Sequence, residues 1–157
     1  MLLLLTLCTV AFAHERAPYD HKVSLTVSPI HLTIPVLELT GEARVHDRVG
    51  VAAVAGAGAT TGVTVWELGA QGRYYPVGDF DHGMQLGAEV LGVGGGDDGD
   101  TAVGAALGPF LGYKIAARFG LTFEGQLGVQ YATVRANGGD SDAGVAPLLN
   151  LNLGWSF

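Results

Sequence analysis

Lysine is almost missing from this chain, which has only Lys22 and Lys114 among 157 residues. All charged residues together reach 15%, against about 25% in an ordinary soluble domain, and this disfavours a well-solvated cytosolic enzyme. With 8 Lys+Arg against 15 Asp+Glu, a formal charge of −7 and no basic run, the clustered cations of a phosphate-binding surface are lacking, so no nucleic-acid partner is expected. The single cysteine, Cys8, excludes a disulfide-stapled scaffold. Beyond residue 13 no apolar run approaches the roughly 20 residues of a membrane-spanning helix. Disorder is excluded from the opposite side, because 48% of the residues are hydrophobic, far above what low-hydropathy chains carry.

The first thirteen residues, MLLLLTLCTVAFA, are an apolar run ending in Ala11-Phe12-Ala13, the small-x-small pattern of signal-peptidase cleavage. Residues 1–13 therefore read as a signal peptide, which leaves a cysteine-free exported chain. Leu7 is too bulky for the lipobox that an anchor at Cys8 would need, and thirteen residues are too few to span a bilayer. Residues 14–21 read as a periplasmic N-terminal tail and residues 22–157 as one domain.

Within that domain the periodicity is two. Apolar residues alternate with polar or small ones, and Gly, Asp, Asn or Pro interrupts at fairly regular intervals, giving eight predicted strands at about 22–30, 35–46, 48–59, 63–77, 83–94, 101–117, 120–136 and 145–157. In 36–45, Leu37, Leu39, Gly41, Ala43 and Val45 alternate with Glu38, Thr40, Glu42 and Arg44. Nine charged residues share the polar parity: Glu38, Glu42, Arg44, Glu67, Arg73, Glu89, Lys114, Arg118 and Glu124. Arg135 is an exception at a strand end, where it can snorkel. Around Pro29 the apolar parity flips, which predicts a bulge or tight loop. All nine Asp lie outside strand centres whereas five of six Glu lie within strands, as expected if Asp bonds its own backbone in turns. Tight turns near 46–48, 76–83 and 118–120 fall on one side, and connections at 60–62, 94–100 and 137–144 on the other.

Alternation alone does not say whether the apolar face meets a core or lipid. A soluble lipocalin-like barrel turns its polar face to water and is expected to be rich in Lys, Ser and Thr there; this polar face carries Gly, Gln, Glu and Arg. Trp66, Tyr74, Tyr113, Phe123, Tyr131, Trp155 and Phe157 all lie on the apolar parity, towards strand ends. The eight-residue spacings from Trp66 to Tyr74 and from Phe123 to Tyr131 correspond to about 20 Å along a membrane normal at roughly 40° tilt. Two aromatic girdles result, with Tyr74, Tyr113, Phe123, Trp155 and Phe157 on the short-turn side and Trp66 with Tyr131 on the other.

With these features the chain resembles the small eight-stranded outer-membrane β-barrels, similar to the transmembrane domain of outer-membrane protein A. The most specific element is the terminal LNLNLGWSF, in which Leu153, Trp155 and Phe157 look like the C-terminal signal read by the barrel-assembly machinery. The resemblance implies a closed antiparallel up-and-down transmembrane barrel in a Gram-negative outer membrane, a monomer contacting lipid and lipopolysaccharide. It implies short turns in the periplasm and a structural or surface-interaction role without cofactor or enzymatic activity. Eight strands leave a lumen that side chains fill, so the nine charged residues of the polar parity are expected to pair there and plug it.

Other chemistry is weakly signalled. Ser28 and His31 with Glu38 are the only residues placed for a lipid A-modifying hydrolase, the leading alternative. Such a triad needs a base oriented by a carboxylate within hydrogen-bond reach, and a polar loop is the simpler account. His14 has no spaced partner for a copper site. The glycines 56, 58 and 62 imitate a phosphate loop, but no helix follows to hold an anion, and small residues on a crowded wall explain them. Asp97, Asp98, Asp100, Asp140 and Asp142 gather on the long-connection side, where Ca²⁺ or Mg²⁺ is conceivable and solvated turns are the simpler expectation.

Overall fold

A computed structural model describes residues 20–33, 35–60, 62–97, 100–137, 139 and 141–157. The expected signal peptide and most of the expected tail lie outside these residues, as do Asp98 and Asp140. Eight strands follow in order: β1 (Val23–Val27), β2 (Val36–His46), β3 (Val49–Thr60), β4 (Val63–Gly78), β5 (His82–Gly96), β6 (Thr101–Ala116), β7 (Leu121–Ala136) and β8 (Ser141–Ser156). Each pairs antiparallel with its neighbours in sequence, and β1 pairs with β8, so the hydrogen-bonded ring closes on itself. The only helical turn among the described residues is a 3₁₀ turn, His31–Thr33, between β1 and β2.

Closure is confined to the short-turn end: β1 pairs with β8 only from Ser24–Ser156 to Val27–Leu153, and residues 141–152 of β8 pair on their β7 side alone, so the seam leaves an edge there. Alternation then assigns the two faces. Leu25, Leu39, Leu68, Leu107, Leu127 and Leu151 stand on the outside, Leu127 with 64% of its surface exposed. Glu42, Arg73, Gln85, Lys114, Glu124 and Gln126 are buried inside. This inverts the arrangement of a water-soluble domain, in which charged groups are rarely buried and large apolar groups seldom cover the surface.

Turn chemistry fits the ring. Gly120 takes a φ of +103°, and a Cβ there would lie 2.3 Å from the Trp155 indole nitrogen, so only glycine suits the β6–β7 turn. Register shifts at Arg44/His46 and at Tyr74/Val77 bend the wall near the short-turn end.

Two strand bounds differ by more than two residues from the sequence reading. The first strand ends at Val27 rather than continuing to residue 30, because the chain leaves the sheet before Pro29 and coils through the 3₁₀ turn. The last begins at Ser141, four residues early: Arg135 pairs with Ser141 and Val134 with Asp142. Backbone pairing continues there without apolar alternation, so the periodicity gave no sign of it.

Candidate functional site: the polar interior

Toward the short-turn end the interior is a closed ion-pair cluster. Arg73 Nη1 donates to Glu42 Oε2 and to Glu124 Oε2, each at 2.8 Å, and Lys114 Nζ donates to Glu42 Oε2 at 2.7 Å and to Ser24 Oγ at 3.0 Å. The remaining lone pairs are used as well. Tyr75 donates its hydroxyl to Glu42 Oε1 at 2.7 Å, and Glu124 accepts from Gln85 at 3.1 Å, Gln126 at 2.9 Å and Asn152 at 3.1 Å. Phe80 folds in from the β4–β5 turn, and Lys114 Nζ lies 3.5 Å from its ring centroid. Two acids thus face two bases, all fully buried and each satisfied, the condition under which buried charges are tolerable.

Toward the other end the same polar parity produces a different environment. Glu38, Glu67 and Glu89 border a cavity of about 260 Å³ together with His31 and Asn150. Glu89 accepts a hydrogen bond from the Gln71 amide. His31 Nδ1 stands 3.0 Å from Glu38 Oε2, but this approach is not aligned as a hydrogen bond, and both His31 Nδ1 and Glu67 Oε1 are buried without a hydrogen-bond partner. The nearby Glu38 carboxylate raises the His31 pKa above its usual value, burial opposes this, and Glu67 and Glu89 add to the rise.

Strand β3 makes both clusters possible. Gly56 pairs with Glu38 on one side and Glu67 on the other, and a Cβ at Gly56 would lie 2.2 Å from Glu67 Oε1. The Glu67 side chain therefore lies across the bare glycine towards Glu38. Gly50 plays the same part for Glu42, whose Oε1 would meet a Cβ at 2.1 Å, and Gly50 pairs with Arg73. These glycines of the phosphate-loop-like stretch and its neighbourhood are cradles for carboxylates.

Of the nine charged residues on the polar parity, Glu38, Glu42, Arg73, Glu89, Lys114 and Glu124 are buried in the interior, and Glu67 is partly exposed in the cavity wall. Two differ from the expected plug. Arg44 sits at the short-turn rim, bonded to Asp20, whose carboxyl it holds below the ordinary range. Arg118 is an exposed residue of the β6–β7 turn, because β6 ends at Ala116 and alternation no longer governs where its side chain points. The expected five acids against four bases are thus five acids against two, with the surplus of acid confined to the cavity end.

Trp66, Tyr74, Tyr113, Phe123, Tyr131, Trp155 and Phe157 are all exposed on the outer face, Trp66 lying over Gly94 and Trp155 against Phe119 at 5.7 Å. Leu153 and Trp155 pair with β1 through Val27 and Leu25, so the segment in which an assembly signal is expected belongs to the strand that closes the ring. Ser28 donates to the Leu151 carbonyl at 3.3 Å, and His31 faces Glu38. Among the acidic residues of the long connections, Asp97 accepts from the Asp100 amide at 3.1 Å in its turn, and Asp142, which lies in β8, accepts from the neighbouring Ala143 amide at 2.8 Å.

Sequence reasoning set Gln71 and Gln126 on the polar parity without counting them in the network, and passed over Tyr75, Phe80 and Gln85. The glutamines and Tyr75 share the parity of Arg73 and Glu124 and were open to discovery on that ground. Phe80 was not, since a turn residue carries no alternation. Comparison with protein-family models, with curated proteins and with solved structures finds no match for this chain.

Proposed function

We propose that this chain is a non-enzymatic integral outer-membrane β-barrel with a structural or surface-interaction role, its lumen plugged at the short-turn end by the Glu42–Arg73–Glu124–Lys114 cluster. The observation that carries the reading is the inverted distribution of polarity, with exposed leucines, valines and aromatics outside and buried charge inside. Such a surface favours an apolar solvent, and strand pairing satisfies most of the backbone there, residues 141–152 of β8 being paired on their β7 side alone. A 16-residue strand rises about 53 Å, or about 40 Å along the normal at 40° tilt, enough to cross the hydrocarbon layer. Lipid and lipopolysaccharide are the partners of the outer face, and the terminal strand with Leu153, Trp155 and Phe157 is the element offered to the barrel-assembly machinery.

Fractionation of expressing cells, combined with a gel on which the unheated protein migrates faster than the boiled one, tests the reading. Cysteines at Leu39, Leu127 and Leu151 are expected to react with lipid-soluble reagents and to resist aqueous ones. A protein that stays soluble without detergent and whose cysteines react with aqueous reagents would overturn it.

A further inference from the structure

We infer that His31, Glu38 and Glu67 form a binding site for a divalent first-row transition metal ion of the Zn²⁺ class at the cavity end of the interior. Each residue offers one ligand atom, and the three atoms lie within 4.8 Å of one another. Ligands of a tetrahedral Zn²⁺ at about 2.0–2.2 Å stand roughly 3.4 Å apart, so side-chain adjustment alone closes the set. The ligands come from three independent elements, the 3₁₀ turn, β2 and β4, and the bare Gly56 lets the two carboxylates approach.

Two further observations point to a ligand. Glu67 Oε1 is buried without a hydrogen-bond partner, and His31 Nδ1 meets only Glu38 Oε2, at 3.0 Å and off the hydrogen-bond direction; such groups are costly in a folded protein unless something binds them. The charge of the region is also uncompensated: Glu38, Glu67 and Glu89 line one cavity with a single imidazole, whereas at the short-turn end two carboxylates meet two cations. A divalent ion supplies the missing charge, and the cavity of about 260 Å³ leaves room for water to complete the coordination. An imidazole beside carboxylates selects Zn²⁺, Ni²⁺, Cu²⁺ or Fe²⁺ over Ca²⁺ and Mg²⁺, which take oxygen ligands. The inference holds whether or not the outer face meets lipid.

The test uses the untagged full chain, folded in detergent, stripped with chelator and titrated with Zn²⁺ against a chromophoric competitor. Co²⁺ then serves as a spectroscopic probe. One Zn²⁺ per chain is expected, undisturbed by millimolar Ca²⁺ or Mg²⁺, with visible Co²⁺ bands of low symmetry. His31→Gln and Glu67→Gln are each expected to weaken binding at least tenfold. Gly56→Ala should weaken it as well, without removing a ligand, by pushing Glu67 aside. Circular dichroism and gel migration check that each variant is folded. His31 lies outside the strands, so its variant decides the matter even if Glu67→Gln fails to fold. A wild-type protein that shows no saturable Zn²⁺ binding, or a His31→Gln variant that binds as the wild type does, overturns the site.

Discussion

The two ends of the interior are built on the same strand by the same device and come out opposite in electrostatics. At Gly50 a glutamate leans across β3 and meets Arg73 and Lys114; at Gly56 another glutamate leans across and meets Glu38 and His31. The difference teaches that a glycine cradle fixes where a carboxylate goes, while the residue waiting there decides whether the result is a structural clamp or a pocket with an excess of acid. In a lumen this narrow the two outcomes are separated by only a few residues along each wall strand.

Removing the shared cation breaks the comparison most severely. Arg73→Ala leaves Glu42 and Glu124 buried with only Lys114 between them, and should destabilise the fold by about 3–5 kcal/mol in a urea titration followed by tryptophan fluorescence. A loss below about 1 kcal/mol would show that lumen water solvates the acids and that the cluster is no clamp.

Neutralising one glutamate at each end sharpens the contrast by sign. Glu124 accepts four hydrogen bonds, from Arg73, Gln85, Gln126 and Asn152. Glu124→Gln turns an amide towards these donors and should cost about 2–3 kcal/mol. Glu67→Gln removes a like charge from the acidic cavity and should stabilise the metal-free protein by up to about 1 kcal/mol. Equal signs in paired unfolding curves would mean that the ends are electrostatically alike.

The cradles can be filled directly. In Gly50→Ala the added methyl meets a carboxylate held by Arg73, Lys114 and Tyr75, with an expected loss of about 1–3 kcal/mol. In Gly56→Ala it meets Oε1, Cγ and Cδ of Glu67 at 2.2, 2.7 and 2.8 Å, but Oε1 has no hydrogen bond to lose, so the side chain can swing away and a loss of about 1 kcal/mol or less is expected. Similar losses in the two variants would show that Glu67 is as firmly held as Glu42. The smallest effect belongs to the rim: Asp20 is largely exposed, and Asp20→Asn should leave the unfolding midpoint where it was, because exposed ion pairs contribute little.

How much of this was legible in the sequence follows from what alternation encodes. It records which face a strand residue takes, so the eight strands and the inward placing of Glu42, Arg73, Lys114 and Glu124 could be read directly. It is silent where the chain leaves the sheet. Arg118, sorted by parity, lies in a turn, and Phe80 enters the interior from one. Nor does it record distance across the lumen. His31 and Glu38 were legible as neighbours near a loop, yet the approach of Glu67 from β4 depends on β3 being bare at Gly56, a relation between three strands that no single segment contains. The clustered Asp residues were expected to be solvated turn residues, with a cation site only conceivable; in the structure Asp97 bonds within its own turn and Asp142 lies in β8, bonded to the next amide.

The interior positions of β3 also bear on how the ring finds its alignment. Gly50, Ala52, Val54, Gly56 and Gly58 carry too little side-chain shape to hold a register by packing against neighbours, the circumstance in which strands slip. Here the two glycines act as notches for keys on the flanking strands. Displacing the β3–β4 pairing by two residues sets Val54 or Gly58 where Glu67 must lie. A matching shift on the β2 side sets Ala52 or Arg48 where Glu42 must lie. Only the native alignment seats both carboxylates over glycine, so a strand with almost no features of its own is proofread by its neighbours as the hairpins zip together.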